Sequence, residues 1–297
     1  MKRKTFSLLN FFIGSFLVVF AVACLYPFYN VYIYAFNDGL DSMRAPLVFF
    51  PRKPTLSNFQ TAFSQRNIMN ALGVSVLRTV SGTLLSVLVT SMLGFAMMMR
   101  KVVGYKFFSY FFFITFMFNG GFIPSYLLIK EIGLLNTFGA LILPSMISYW
   151  YMIIFRSFFD AVPSSIMDSV EVDGATYFTT FFRIYAPLSK PVYAAVGLFT
   201  AIGHWNDWYS GEFYIVDDKL KPLQTILRNL MQRADLLDQL MSQNSSAGSL
   251  LASMSAGVTP YSIRVAIIVI SVTPIILVYP FVQKHFVKGM MIGSIKG

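Results

Sequence analysis

The sequence predicts an all-α, polytopic membrane protein with six transmembrane helices, and three observations carry that prediction. First, 56% of its 297 residues are hydrophobic and 12% are charged, about half the charge of an ordinary soluble domain, which is roughly 25%. Second, the charges are bunched. Residues 5–37, 79–99, 107–129, 132–155 and 265–283 contain no Asp, Glu, Lys or Arg, and 191–206 is a shorter gap of the same kind. A helix needs roughly 20 apolar residues to cross about 30 Å of hydrocarbon, and a chain of this length has no soluble core that could absorb six such runs. Third, basic residues occupy alternate intervals between the gaps.

The six spans lie at about 10–36, 70–99, 105–129, 136–156, 191–210 and 261–284. The first is longer than a bilayer demands and implies tilt or an interfacial extension. Pro27, Pro124, Pro144 and Pro274 interrupt spans, which is tolerated where neighbouring helices or a cavity satisfy the freed carbonyls. Lys2, Arg3 and Lys4 precede the first span; Arg100, Lys101 and Lys106 lie between the second and third. Arg156, Arg183 and Lys190 fall between the fourth and fifth, and Lys284, Lys288 and Lys296 follow the sixth. Short loops rich in Lys and Arg mark the cytoplasmic side, so both termini are expected there. The net charge of +10 then reflects topology rather than a nucleic-acid surface.

The expectation is a single transmembrane domain over 1–297, with outer loops at 37–68, 130–135 and 211–260 and a long inner loop at 157–190. Behind Pro222, Leu223, Ile226, Leu227, Leu230 and Met231 recur at helical spacing. Ser242–Gly257 reads as a Ser/Ala/Gly-rich mobile link, and the Asn244 sequon it contains carries no inference. The single cysteine, Cys24, excludes an internal disulfide. Its Ala21-Val-Ala-Cys context faintly resembles a lipoprotein cleavage site, but the apolar run continues past it. A small buried thiol in an uncleaved span is expected.

The segment Pro163–Pro191 holds two short helical patterns around a turn. Ser165 followed by Asp168 has capping-box spacing and sets a helix start near Ile166. Gly174 offers a helix end with positive φ. Tyr177, Phe178, Phe181, Phe182 and Tyr185 then form an amphipathic aromatic stripe that Pro187 should stop. Such a stripe suits the groove of a soluble partner; by pattern alone an interfacial helix lying on lipid fits equally.

This stretch resembles the Glu-Ala-Ala coupling motif of binding-protein-dependent ATP-binding cassette (ABC) importer permeases. Asp168, Ser169 and Val170 stand at the Glu-Ala-Ala positions, and Asp173, Gly174 and Ala175 match an Asp-Gly-Ala. Ile184 and Pro187 follow at the family's spacing. The first triplet departs from the consensus, with a shorter acid and a larger third residue. The resemblance covers essentially the whole chain and points to the carbohydrate-uptake branch, the maltose-transporter inner-permease family. Within it, the chain is most similar to the Gram-positive subgroup for complex or uronate-containing oligosaccharides. The residues concerned include Phe118–Leu128, Gly133–Thr137, His204–Trp208, Pro222–Gln224 and Lys288–Gly297.

The resemblance implies a permease subunit in the cell membrane that pairs with a second permease, the expected assembly being a heterodimer. Two ATPase subunits, an extracellular solute-binding protein and an oligosaccharide are the other expected partners. The segment around Asp168–Ala175 would sit in a cleft of one ATPase. This chain has no GxxxxGK[ST] phosphate loop, so ATP and Mg would be used by the partner ATPase, with no cofactor or metal held here and no enzymatic role.

Two aromatic groups suit sugar contacts: Tyr149, Trp150 and Tyr151, and Trp205, Asn206 and Trp208. Both are equally readable as packing or interfacial-belt residues. At roughly 1.5 Å per residue, Asp207 falls about 24 Å up its helix from Pro191, which suits a loop anchor. Arg78 reads as a snorkelling cation, with contact to an anionic sugar as the alternative. His204 reads as a packing residue, and Met97–Met99 as apolar filling. A membrane-embedded transferase would need clustered acids, whereas Asp217-Asp218 followed by Lys219 reads as a solvated turn. An ion-driven transporter would show acids or Lys at mid-span, and none is present.

Overall fold

The computed structural model describes residues 8–46, 49–64, 67–100, 102–232 and 258–293. The tail 294–297, the Ser242–Gly257 link with its sequon and the N-terminal basic cluster lie outside the described residues. Within them the chain is helical, and its single β-type pairing is the isolated bridge Asn37–Pro54. In order, the helices are α1 (Leu8–Ala35), α2 (Gly39–Arg44), α3 (Ser57–Ser64), α4 (Ile68–Met98), α5 (Tyr105–Met117), α6 (Phe122–Glu131) and α7 (Tyr149–Asp160). They continue with α8 (Ser164–Val172), α9 (Tyr177–Thr180), α10 (Ala186–Leu188), α11 (Lys190–Asn206), α12 (Tyr209–Phe213), α13 (223–232) and α14 (Pro260–Gly293).

Three of these helices, over Phe11–Ala35, Ile68–Met98 and Pro260–Val278, are long and apolar enough to cross a membrane. A fourth qualifies if the 3₁₀ turns Phe138–Ser145 and α7, bent by 52°, form one broken span. The expected 105–129 span divides into α5 and α6, and the break falls before Pro124. Phe118 is extended, Gly121 has φ 85°, and the Asn119 Oδ1 accepts the Gly121 N–H at 2.9 Å. That Asx-type turn offers the backbone an alternative to the helix, and Pro124 sits within the first turn of α6. The expected 191–210 span is broken at residues 207–208, so its continuous helix is α11, about 25 Å at roughly 1.5 Å per residue. Pro27 and Pro274, by contrast, lie inside continuous helices.

Cys24 is exposed rather than buried. The physical reason is that α1 is apolar all round, with none of its spanning window buried within the chain, the pattern of a helix whose surroundings are themselves apolar.

The chain divides into two compact units. In the unit comprising 1–68 and 227–273, Ala35 packs on Val265 and Val269, and the Tyr32 hydroxyl meets Thr273 Oγ1 at 2.9 Å. Buried Asn37 organises the following loop: its Oδ1 accepts the Lys53 N–H at 2.7 Å and its amide donates to Asp41 and Ser42. The Asn37 amide, joined by Arg52, holds the Asp41 carboxyl below the usual carboxylate range. In the unit comprising 69–226 and 274–297, α4, α7, α11 and the inner-loop helices share one aromatic core of Phe95, Phe155, Phe159, Phe181 and Tyr185. Met98 and Met99 pack against it and Met97 is buried, as apolar filling requires. Helix α13 forms where the Leu223 periodicity predicts it, with Leu223 fully buried and its N–H donated to Ser75 Oγ at 2.8 Å. Asp217 accepts the Lys219 N–H and Asp218 pairs with Lys221 at 2.7 Å, so the acidic pair is a self-capped exposed turn.

Candidate functional sites: an exposed turn and a polar cleft

The 157–190 segment forms the expected pair of short helices, with three differences in detail. Helix α8 begins at Ser164 behind Pro163 and has no side-chain cap, so the Ser165–Asp168 capping box is not made. Ser165 is already inside the helix, where its carbonyl accepts the Ser169 hydroxyl at 2.8 Å. The C-terminus is as the sequence requires. Gly174 has φ 68°, and its N–H bonds Glu171 O while the Ala175 N–H bonds Val170 O, both at 3.2 Å. These are the two bonds of a Schellman ending, which needs a left-handed residue at this position. A Cβ added to Gly174 would meet nothing within 4 Å in this chain, so backbone conformation alone selects glycine here.

Thr176 caps the next helix, accepting the Thr179 N–H at 3.3 Å. The aromatic stripe divides instead of acting as a unit: Phe181 and Tyr185 are buried in the chain's own core, while Tyr177, Phe178 and Phe182 stay exposed. Burial, aided by nearby Asp160, pushes the Tyr185 hydroxyl pKa up. Pro187 does not stop the helix. The backbone passes through a π-turn at Phe181–Tyr185, with the Ala186 N–H bonded to Phe181 O, and stays helical to Leu188. Pro lacks an N–H and its ring crowds the carbonyl four residues back; the wider turn precedes it, as π-bulges inside helices do.

Of the motif residues, Asp168, Ser169, Asp173, Gly174, Ala175 and Pro187 are exposed, Ile184 is half-buried and Val170 is buried. The departure at Val170 therefore faces this chain's interior, where a larger side chain adds packing. Every residue from Glu171 to Phe178 is exposed, including Val172 at 87%. The turn is thus uncovered in this chain, with exposed apolar side chains around it.

The second candidate site is a cleft of about 800 Å³. Ser148 and Tyr149 enter it from the start of α7, where Ser148 Oγ caps the Tyr151 N–H at 3.4 Å. Tyr151 lines it too, with Phe111, Phe112 and Phe116 of α5. Phe199, Thr200, Gly203 and His204 come from α11, and Asp207 from the corner that follows. Trp150 points elsewhere and is 60% exposed. Trp205 is buried in a different, apolar crevice with Val76, Leu198 and Pro274. Asn206 is exposed, and Trp208 packs on Tyr209 and Phe213 outside the cleft. Of the six aromatic-cluster candidates, only Tyr149 and Tyr151 reach the cleft.

Sequence reasoning missed what holds the outer corner of this site. Arg78 is 1% exposed and does not snorkel. Its guanidinium is ion-paired with Asp207, donates to Asp207 O at 2.8 Å and donates to Leu141 O at 3.0 Å. The Asp207 carboxylate also accepts from the Ser210 backbone and hydroxyl. One ion pair thus ties α4, the Phe138–Leu141 turn and the α11–α12 corner, so Asp207 is the loop anchor expected. Arg78 has its donors committed and is no longer a candidate for an anionic sugar. His204 is buried against Gly82, where an added Cβ would come within 2.7 Å of the imidazole. The available signal was the intramembrane Arg itself, which calls for a buried acid partner. Among the described residues no group of acids, His and Cys could hold a metal ion.

Family and relatives place this chain of apolar helices among membrane transport subunits. The chain belongs to the family of binding-protein-dependent transport system inner membrane components, which matches residues 82–292. These are membrane permeases that act with a second permease, an ATPase and a binding protein, and ATP hydrolysis belongs to the ATPase. The chain is 34% identical to the polygalacturonan/rhamnogalacturonan transport system permease protein YtcP of Bacillus subtilis, over the whole length of both. It is 37% identical to protein LplC of Bacillus subtilis, over 91% of this chain and 89% of that one. In fold it is similar to a chain in the crystal structure of a bacterial ABC transporter involved in the import of the acidic polysaccharide alginate. There the TM-score is 0.82 at 23% identity, covering 96% of this chain and 99% of that one.

Proposed function

We propose that this chain is one of two permeases forming the membrane pathway for an oligosaccharide derived from an acidic plant polysaccharide of the polygalacturonan/rhamnogalacturonan type. Full-length identity of 34% to a permease named for those polymers carries the substrate class. The chain crosses the membrane six times with both termini in the cytoplasm, counting α5–α6, the Phe138–Asp160 bent pair and α11 as spans beside the three long helices. Alternation of the Lys/Arg clusters supports that count.

Coupling runs through the exposed turn. Asp168, Ser169, Asp173, Gly174 and Ala175 dock in a cleft of one of two ATPase subunits, while Val170 and Ile184 fix the turn to the body of the permease. Phe181 and Tyr185 join α9 and its π-turn to the core that α4, α7 and α11 share. Movement of the turn when ATP closes the ATPase dimer would then be transmitted to those three helices as one packed body. Tyr149 and Tyr151 line the sugar pathway; Trp150, Trp205, Asn206 and Trp208 serve packing or membrane contact.

The test is to purify the chain in mild detergent, reconstitute what co-purifies, and measure ATP hydrolysis with binding protein and oligogalacturonides. Stimulated hydrolysis by an assembly holding a second permease and an ATPase is expected. An assembly without an ATPase, or one indifferent to these sugars, would defeat the reading.

A further inference from the structure

The polar side chains of the cleft differ in whether the fold uses them. Ser145 Oγ donates to Ile142 O at 3.2 Å, Ser148 caps α7, Asn119 Oδ1 accepts from Gly121, and Asp207 is bound to Arg78 and Ser210. Thr200 stands apart. It is 8% exposed, lines the cleft from the middle of α11, and its hydroxyl has no partner among the described residues. A buried hydroxyl left unmatched costs stability, of order 1–3 kcal/mol, and calls for an explanation outside the fold. One turn further along the same helix face is His204, which is 5% exposed and also lines the cleft, and Ser86 of α4, at 2%, lines it too. Tyr149, Tyr151 and Phe199 supply aromatic walls.

Hydroxyls and an imidazole beside aromatic faces are the chemistry that recognises a pyranose: polar groups for its hydroxyls, ring faces for its C–H surface. The cleft volume is within the roughly 300–1,000 Å³ of ligand sites. Its charge is equally informative. Among the described residues no Lys or Arg lines the cleft, its acid is Asp207, and Arg78 behind it is buried with its donors committed. A uronate carboxylate would meet an acid and no unpaired cation there, and burying an unpaired anion is strongly unfavourable.

We propose that Ser86, Thr200 and His204 form a subsite for one uncharged sugar ring of the transported oligosaccharide, with Tyr151 as its aromatic wall. The acidic rings are accommodated outside this cleft. The inference rests on the proposed sugar-permease function and adds which ring this subunit recognises.

The experiment uses the complete importer in proteoliposomes with two labelled probes, galacturonate–rhamnose disaccharide and trigalacturonate, and the variants Thr200→Val and Ser86→Ala. Thr200→Val keeps the side-chain shape and removes only the hydroxyl. Uptake is read per assembled complex for both variants. Uptake of galacturonate–rhamnose at sub-saturating concentration should fall roughly three- to tenfold in Thr200→Val, the loss of one or so hydrogen bonds, and less in Ser86→Ala. Wild-type uptake of that probe by both variants overturns the subsite while leaving the permease function standing. Equal dependence of trigalacturonate uptake on Thr200 overturns its selectivity for an uncharged ring. Failure of the wild-type importer to take up either probe overturns the proposed substrate class and, with it, the subsite.

Discussion

Helix α11 carries two different environments on one face. At its beginning, Val192 and Val196 pack into the aromatic core with Phe155, Phe159, Phe181 and Tyr185. Further along the same stripe, Thr200 and His204 face the polar cleft. The first region is dry, interlocked and continuous with the exposed Gly174 turn. The second is held open by side-chain pairs between distant parts of the chain. On the proposed function, the end that carries the Gly174 turn would transmit displacement, which close packing does well. The pathway end has to offer unfilled polar groups.

The largest effect should come from the pathway end. Arg78→Leu leaves the Asp207 carboxylate without its cation, and removing one partner of a buried pair costs roughly 3–5 kcal/mol. Asp207 is about a quarter exposed, which favours the lower part of that range. Thermal unfolding of the detergent-solubilised chain should show a severe loss, and the Arg78→Leu/Asp207→Leu double replacement should recover much of it. Equal loss in the single and double variants would mean that the pair is not what holds the corner.

Next in size is Gly82→Ala. The new methyl would sit 2.7 Å from the His204 ring, and overpacking of this kind costs about 1–3 kcal/mol. Pairing it with His204→Ala should restore stability, since the clash is with that ring. Smaller still is the contrast between Tyr151→Ala and Trp150→Ala. The first should lower sugar uptake beyond any fall in assembled complex, because Tyr151 lines the cleft. The second should lower uptake only in proportion to assembly, because Trp150 faces away. Reversal of that order would move the pathway to the other face of α7.

The Gly174 turn was readable in the sequence and the Arg78–Asp207 corner was not, for a physical reason. A Schellman ending is local: Gly174, its neighbours and their spacing carry it whole, as does the helical period behind Pro222. The parts misread at that end involve competition between local signals and the fold. Ser165 offers a cap but lies inside α8, and Phe181 and Tyr185 repeat like their exposed neighbours but are taken by Phe95 and Phe159. The Arg78–Asp207 pair joins residues 129 positions apart, and nothing in either neighbourhood announces it. Adjacency groups Trp150 with Tyr149 and Tyr151, but only the two tyrosines line the cleft, and Trp150 is 60% exposed. Cys24 was expected as a buried thiol within its apolar span, but α1 buries none of its spanning window against the chain.

The claim that these two regions divide coupling from substrate recognition is tested most directly by sugar-stimulated ATP hydrolysis in the reconstituted complex carrying Gly174→Leu. The positive φ makes the replacement cost about 1 kcal/mol or more, but the side chain meets nothing within this chain. Insertion and pairing with the second permease should therefore survive, and the external binding protein should still dock. The account predicts that stimulation of ATP hydrolysis, and transport with it, is lost in this assembled complex. Stimulation at the wild-type level would contradict it and return Ser164–Leu188 to an amphipathic segment lying on the membrane surface.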